Sequence, residues 1–154
     1  MYRIVYIRRF ISKKVMKINN TETSSKTLGI GLFLFRLCLG GLMIANHGWM
    51  KIINYETLKT EFFNFLGLGS NTSLILAICA ETICSLLLIF GLYTRLALIP
   101  LIVTMLVAMG VHGWEIFGGD AEMSFLYLIG FVFLFIAGPG ESSIDARMSK
   151  RSFY

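Results

Sequence analysis

Residues 73–112 read SLILAICAETICSLLLIFGLYTRLALIPLIVTMLVAMGVH. The stretch holds two apolar runs, from about Ser73 to Tyr93 and from about Leu96 to His112, divided by the short joint Gly91-Leu92-Tyr93-Thr94-Arg95. Each run is continuous rather than alternating, the pattern of a helix and not of a barrel strand. Crossing ~30 Å of hydrocarbon takes about 20 mostly apolar residues. The first run meets that length, and the second reaches it with interfacial residues at its ends. A joint this short forces the pair into an antiparallel hairpin.

Two further apolar runs lie on either side, from about Leu28 to Trp49 and from about Met123 to Gly138, with connections at about 51–72 and 113–122. The expectation is an all-α membrane protein, a four-transmembrane-helix antiparallel bundle in up-down-up-down order. Its organisation reads as a basic segment over 1–27, the spanning domain over 28–138 and a tail over 139–154. Composition agrees. The chain is 56% hydrophobic and 15% charged, with a mean hydropathy of +0.73, whereas soluble domains are about 25% charged. These figures exclude a soluble domain and a disordered chain.

The basic residues are distributed unevenly. Arg3, Arg8, Arg9, Lys13, Lys14, Lys17 and Lys26 precede the first span, Arg95 lies in the hairpin joint, and Arg147, Lys150 and Arg151 follow the fourth span. These all fall on one side. The other side has Lys51 and Lys59 together with Glu56, Glu61, Glu115, Asp120 and Glu122. The bias predicts both termini in the cytoplasm. Residues 1–20 lack the separate apolar core of a cleavable signal. They read as a basic interfacial helix, with Tyr2, Ile4, Val5, Ile7, Phe10 and Ile11 among the charges, or as an extension ahead of a start at Met16. Cys38, Cys79 and Cys84 fall in apolar runs without a C-x-x-C pair, so they indicate neither a disulfide framework nor a zinc ribbon.

Motifs recur at ordered places. Span one contains Arg36-x-x-x-Gly40 and then His47-Gly48-x-x-Lys51. Span two contains Ala80-Glu81 and ends in Gly91-Leu92-Tyr93-Thr94-Arg95. Span four exits through Gly138-Pro139-Gly140-Glu141-Ser142-Ser143-Ile144-Asp145. In these motifs the chain resembles the DoxX family of small prokaryotic four-span membrane proteins, over about residues 28–147. The resemblance implies a place in the inner membrane and a redox association. One family member is a subunit of a thiosulfate:quinone oxidoreductase, and others are linked with membrane-tethered oxidoreductase complexes. Partners implied are the lipid bilayer and an oxidoreductase, with a second copy of this chain as a further candidate and no nucleic acid.

Arg36 and Glu81 are the charged residues inside the spans. Each alone costs about 2.5–3.5 kcal/mol on insertion scales. Measured from the side opposite the termini, Arg36 lies about 20 Å deep and Glu81 about 12 Å deep. That offset is within reach of two extended side chains, so the expectation is an interior Arg36–Glu81 pair. Two roles stay open for it. One is a structural pin in a non-enzymatic anchor or assembly subunit. The other is a catalytic pair, with Arg36 donating to a quinone carbonyl or a substrate anion and Glu81 exchanging a proton.

His47 and His112 end spans of the same direction, in the repeated triplets His47-Gly48-Trp49 and His112-Gly113-Trp114. Arg36, Gly40, Met43 and His47 share one helix face, as do Pro100, Thr104, Ala108 and His112. Convergence of these faces would make a pocket lined by His47, His112, Trp114, Thr104 and Glu81, with Arg36 at its floor. His47, His112, Trp114 and Thr104 are then candidate quinone-binding residues. The alternatives are interfacial anchoring of the aromatic and imidazole rings and a metal site, for which no His pair at helical spacing speaks. Small residues, among them Gly29, Gly31, Gly40, Gly41, Ala77, Ala80 and Ser85, read as close-packing positions.

Overall fold

A computed structural model describes residues 24–151. The basic segment discussed above lies mostly outside the described residues. The helices are α1 (Ser25–Ile53), α2 (Tyr55–Glu61), α3 (Ser70–Phe90), α4 (Thr94–Val111), α5 (Glu122–Ala137) and α6 (Ile144–Arg151). No strand occurs among the described residues. α1, α3 and α4 are long and apolar enough to cross a membrane, and α5 is a shorter apolar helix of 16 residues. The protein is an all-α membrane bundle.

Its surface is apolar, unlike that of a soluble protein, and a few polar groups are enclosed in an apolar interior. Leu34, Ile99 and Ile136 stand on the outside, whereas Arg36, Ser73, Glu81, Ser85, Thr94 and Ser143 are buried. Apolar side chains outside cost nothing where the solvent is lipid. The packed centre comprises Leu32, Met43, Leu88, Leu98, Leu101, Met105, Tyr127, Phe131 and Leu134. α1 and α3 approach closely at Gly40, where a Cβ would lie 2.7 Å from Ile89 and 3.0 Å from the Ser85 carbonyl oxygen. Gly31 and Gly41 do not share that role: nothing lies within 4 Å of a Cβ built on either. They occupy the outer face of α1, and their reading as close-packing positions is corrected.

The hairpin joint is built by backbone geometry. The Leu92 N–H bonds the Leu87 carbonyl at 3.0 Å and the Gly91 N–H bonds that of Leu88 at 3.1 Å. This pairing ends a helix through a left-handed residue, here Gly91 at φ +66°. α6 then docks beneath the joint. Asp145 accepts hydrogen bonds from the Tyr93 N–H, the Thr94 N–H and the Thr94 hydroxyl at 2.8–2.9 Å, and its own N–H donates to the Gly91 carbonyl at 2.9 Å. Asp145 thus caps α4 from 51 residues away in sequence.

Burial pushes the Asp145 carboxyl up, but the bonds from Thr94 and Tyr93 and the charge of Arg36 outweigh it and hold the group below the ordinary aspartate range. A depressed folded value contributes stability that is present above the ordinary range and lost as pH falls through the folded value. Asp145→Asn is therefore expected to cost about 1 kcal/mol near neutral pH. Thermal unfolding of both proteins in detergent should show the gap closing as pH falls below about 4. A gap that is independent of pH refutes the cap.

The connection at 51–72 is ordered. It holds α2 and a tight 3-10 turn over Phe65–Gly67. The Phe65 N–H donates to the Ser73 hydroxyl at 3.0 Å, and the Gly69 N–H donates to Asn64 Oδ1 at 2.8 Å. The segment is folded back over the end of the bundle.

Candidate functional site

Two π-helical turns interrupt the spans, Ile44–Gly48 in α1 and Ala80–Cys84 in α3. Wide turns of this kind insert one extra residue and recur at functional sites. Here they face each other. A Cβ on Gly48 would lie 2.5 Å from Thr82 Cγ2 and 3.3 Å from the Glu81 carbonyl, so the two backbones are nearly in contact. His47 and Glu81 both belong to these turns.

The close approach lets Lys51, one turn beyond His47, reach across to Glu81. Its Nζ donates to Oε1 at 2.8 Å and to Oε2 at 2.7 Å. Glu81 is 2% exposed and Lys51 19%. The partner of Glu81 is Lys51, which corrects the expected Arg36–Glu81 pair. Axial depth alone does not decide which side chains meet. Lys51 snorkels inward from the outer end of α1 along its apolar stem, and the π-turns bring the two helices close at that level.

Arg36 belongs to the opposite end of the bundle. It is fully buried, and its Nη2 donates to the Ser142 carbonyl at 3.4 Å. Its Nη1 is so close to Gly91 that a Cβ there would lie 1.8 Å away. Asp145 is the acid whose charge it feels. The Arg…Gly-x-x-Thr…Ser-x-Asp pattern therefore assembles one knot that ties α1, the hairpin joint and the tail together.

At the Lys51–Glu81 end lies a cavity of about 530 Å3. Lys51, Glu81, His47, Thr104 and His112 line it, and Leu58, Phe62 and Phe65 of the folded-back connection cover it. The whole Pro100, Thr104, Ala108, His112 face of α4 is on its wall. The His47 ring meets Tyr127 edge-on, with centroids 5.4 Å apart. Arg36 and Trp114 are not on the wall. Trp114 is 56% exposed at φ +62°, and its indole lies over Gly110. The pocket thus has Lys51 where the expected set placed Arg36. Lys51 was part of the His47-Gly48-x-x-Lys51 motif, and its spacing of four from His47 was the available signal that it shares that face.

The donors and acceptors suit an uncharged polar ring. Lys51 has three ammonium protons, and the carboxylate engages two of them. The remaining proton and either imidazole can donate to a carbonyl oxygen, while Glu81 can accept from a hydroxyl. Among the described residues no cluster of three or more His, Cys, Asp or Glu side chains is placed to hold a metal ion.

The DoxX family model matches residues 31–114. An uncharacterized membrane protein of Mycobacterium tuberculosis is 30% identical over 129 residues, covering 74% of this chain and 79% of that protein. No solved structure matches the chain.

Proposed function

The chain belongs to the DoxX family, and from that premise we propose that it is an integral membrane redox protein that binds a quinone and works with a separate oxidoreductase. The observation that supports this is the 530 Å3 cavity with a buried Lys51–Glu81 pair and two imidazoles among apolar walls. The volume lies within the range of about 300–1,000 Å3 for small-molecule sites, which are mostly apolar with a few placed polar groups. A bound quinone supplies two-electron, two-proton chemistry, with electrons delivered or removed by the partner. Lys51 and the imidazoles orient the ring by donating to its oxygens, Glu81 holds or takes the proton at the deeper oxygen, and the phenylalanines of the connection exclude water. Arg36 acts structurally in this reading. The excess of Lys and Arg on the side of the termini supports an orientation with both termini in the cytoplasm, in the inner membrane of a prokaryote.

Protein purified in mild detergent should carry quinone detectable by mass spectrometry. His47→Ala and His112→Ala should each lower retention about tenfold, the loss of one hydrogen bond to a bound group. Neither should change the amount or melting temperature of the protein, because His47 is half-buried and His112 exposed. A non-enzymatic anchor would carry no quinone and would be indifferent to both substitutions. That result would replace the redox reading.

A further inference from the structure

The cavity has a side opening toward lipid, and this names the class of molecule it admits. Several of its lining residues are also on the outer face of the bundle: Leu76 is 49% exposed, Val103 41% and Val111 51%. The inner wall, by contrast, is closed by Ala77, Ala80 and Met105, all buried. Val103, Val107 and Val111 are spaced by four along α4 and border the stripe of Pro100, Thr104, Ala108 and His112 that faces inward. α4 packs on α3 along Ala80–Phe90, near the joint. The first part of α3, Ser70–Cys79, is splayed from it.

The depth of this gap matters. Val103 lies eight residues before the end of α4, about 12 Å in from that end, which is the level of acyl chains rather than of water. The water-side end of the cavity is covered by Leu58, Phe62 and Phe65. Exposed Glu61, Phe63 and His112 also border that end, so the cavity has a polar mouth there and a second, apolar mouth that is lateral. Glu81, 2% exposed, lies inside with Lys51 bonded to it.

We infer that α3 and α4 form a lateral portal for a membrane-dissolved, tailed quinone, whose ring lies at Lys51–Glu81 and whose apolar tail passes between Leu76 and Val103 into the bilayer. This rests on the quinone reading above and adds the tail as a determinant of binding. A tail in the gap covers side chains that otherwise face lipid chains loosely, and it keeps the ring from leaving toward water.

The test uses the full chain in lipid nanodiscs, with affinities from equilibrium partition of two probes, decylubiquinone and the same ring without a tail. The wild type should bind the tailed probe at least about tenfold more tightly, after correction for the partition of each probe into empty nanodiscs. Val103→Trp and Leu76→Trp should each remove that advantage while leaving the tailless probe unchanged. Both positions border the gap and are about half exposed, so the larger ring can fill the gap without entering the packed centre. Ile99→Trp, on the outer face of the same helix and 49% exposed but off the cavity wall, should have no effect and controls for a general effect of surface tryptophan. Equal binding of the two probes, or a tail advantage that both portal variants keep, overturns the portal and leaves the quinone reading standing. Equal binding of a decyl chain without a ring overturns the assigned ligand class. Failure of the wild type to bind either quinone overturns both readings.

Discussion

Glu81→Ala is expected to lower the stability of the purified protein by about 3–5 kcal/mol, because it leaves the Lys51 ammonium without its partner inside the bundle. Glu81 is 2% exposed and both its oxygens accept from Lys51 within 2.8 Å. Lys51→Met should also destabilise, since it leaves the carboxylate buried alone. The double variant Lys51→Met/Glu81→Leu should recover most of the loss, because apolar groups of similar size replace a buried ion pair at little cost. Denaturant titration in mixed micelles gives the double-mutant cycle, and a coupling of about 1–3 kcal/mol is expected. A parallel cycle with Arg36→Gln and Glu81→Gln should be additive, since Arg36 and Glu81 share no partner. Additivity in the first cycle, or coupling in the second, would reverse the assignment of the pair.

Gly91→Ala should prevent the protein from accumulating as a monodisperse species. At φ +66° a side chain costs about 1–2 kcal/mol on backbone grounds alone. The Cβ would also lie 1.8 Å from Arg36 Nη1 and 2.6 Å from Ser143 Cβ. Arg36 is fully buried, and its guanidinium would have to shift to admit the methyl group. The sum should exceed about 3 kcal/mol. Gly41→Ala, with nothing within 4 Å of its Cβ, should stay within about 0.5 kcal/mol of wild type. Size-exclusion profiles of detergent extracts and melting curves distinguish the two. A Gly91→Ala protein as stable as Gly41→Ala would mean that Arg36 does not lie against the joint.

These two predictions concern opposite ends of the bundle, and that separation was not legible in the chain. Arg36 and Glu81 are the charges inside the spans, so pairing them was the economical reading of a one-dimensional pattern. The partners they have in the structure are Lys51, at the outer end of α1, and the Ser142 carbonyl with Asp145 nearby, both beyond α5. A lysine stem reaches several ångströms along a helix, and a tail can fold back under a bundle. Neither distance follows from sequence separation. Trp114 is a similar case: its place beside His112 leads to the expectation of a wall residue, but the turn after α4 is left-handed at Gly113 and Trp114 and directs the indole over Gly110.

The chain by itself determined the membrane class, the four apolar helices and the antiparallel hairpin, because the lipid solvent requires continuous apolar runs and a short joint allows one connection. It also determined which residues share a helix face, since that depends only on 3.6 residues per turn. Pro100, Thr104, Ala108 and His112 accordingly reach the cavity together. Tertiary structure decided which faces meet and at what height. The facing π-turns, the contact of Gly48 with Glu81 and Thr82, and the fold of residues 55–69 over the cavity arise from packing between helices distant in sequence, where shape and charge are satisfied jointly and no local pattern records the result.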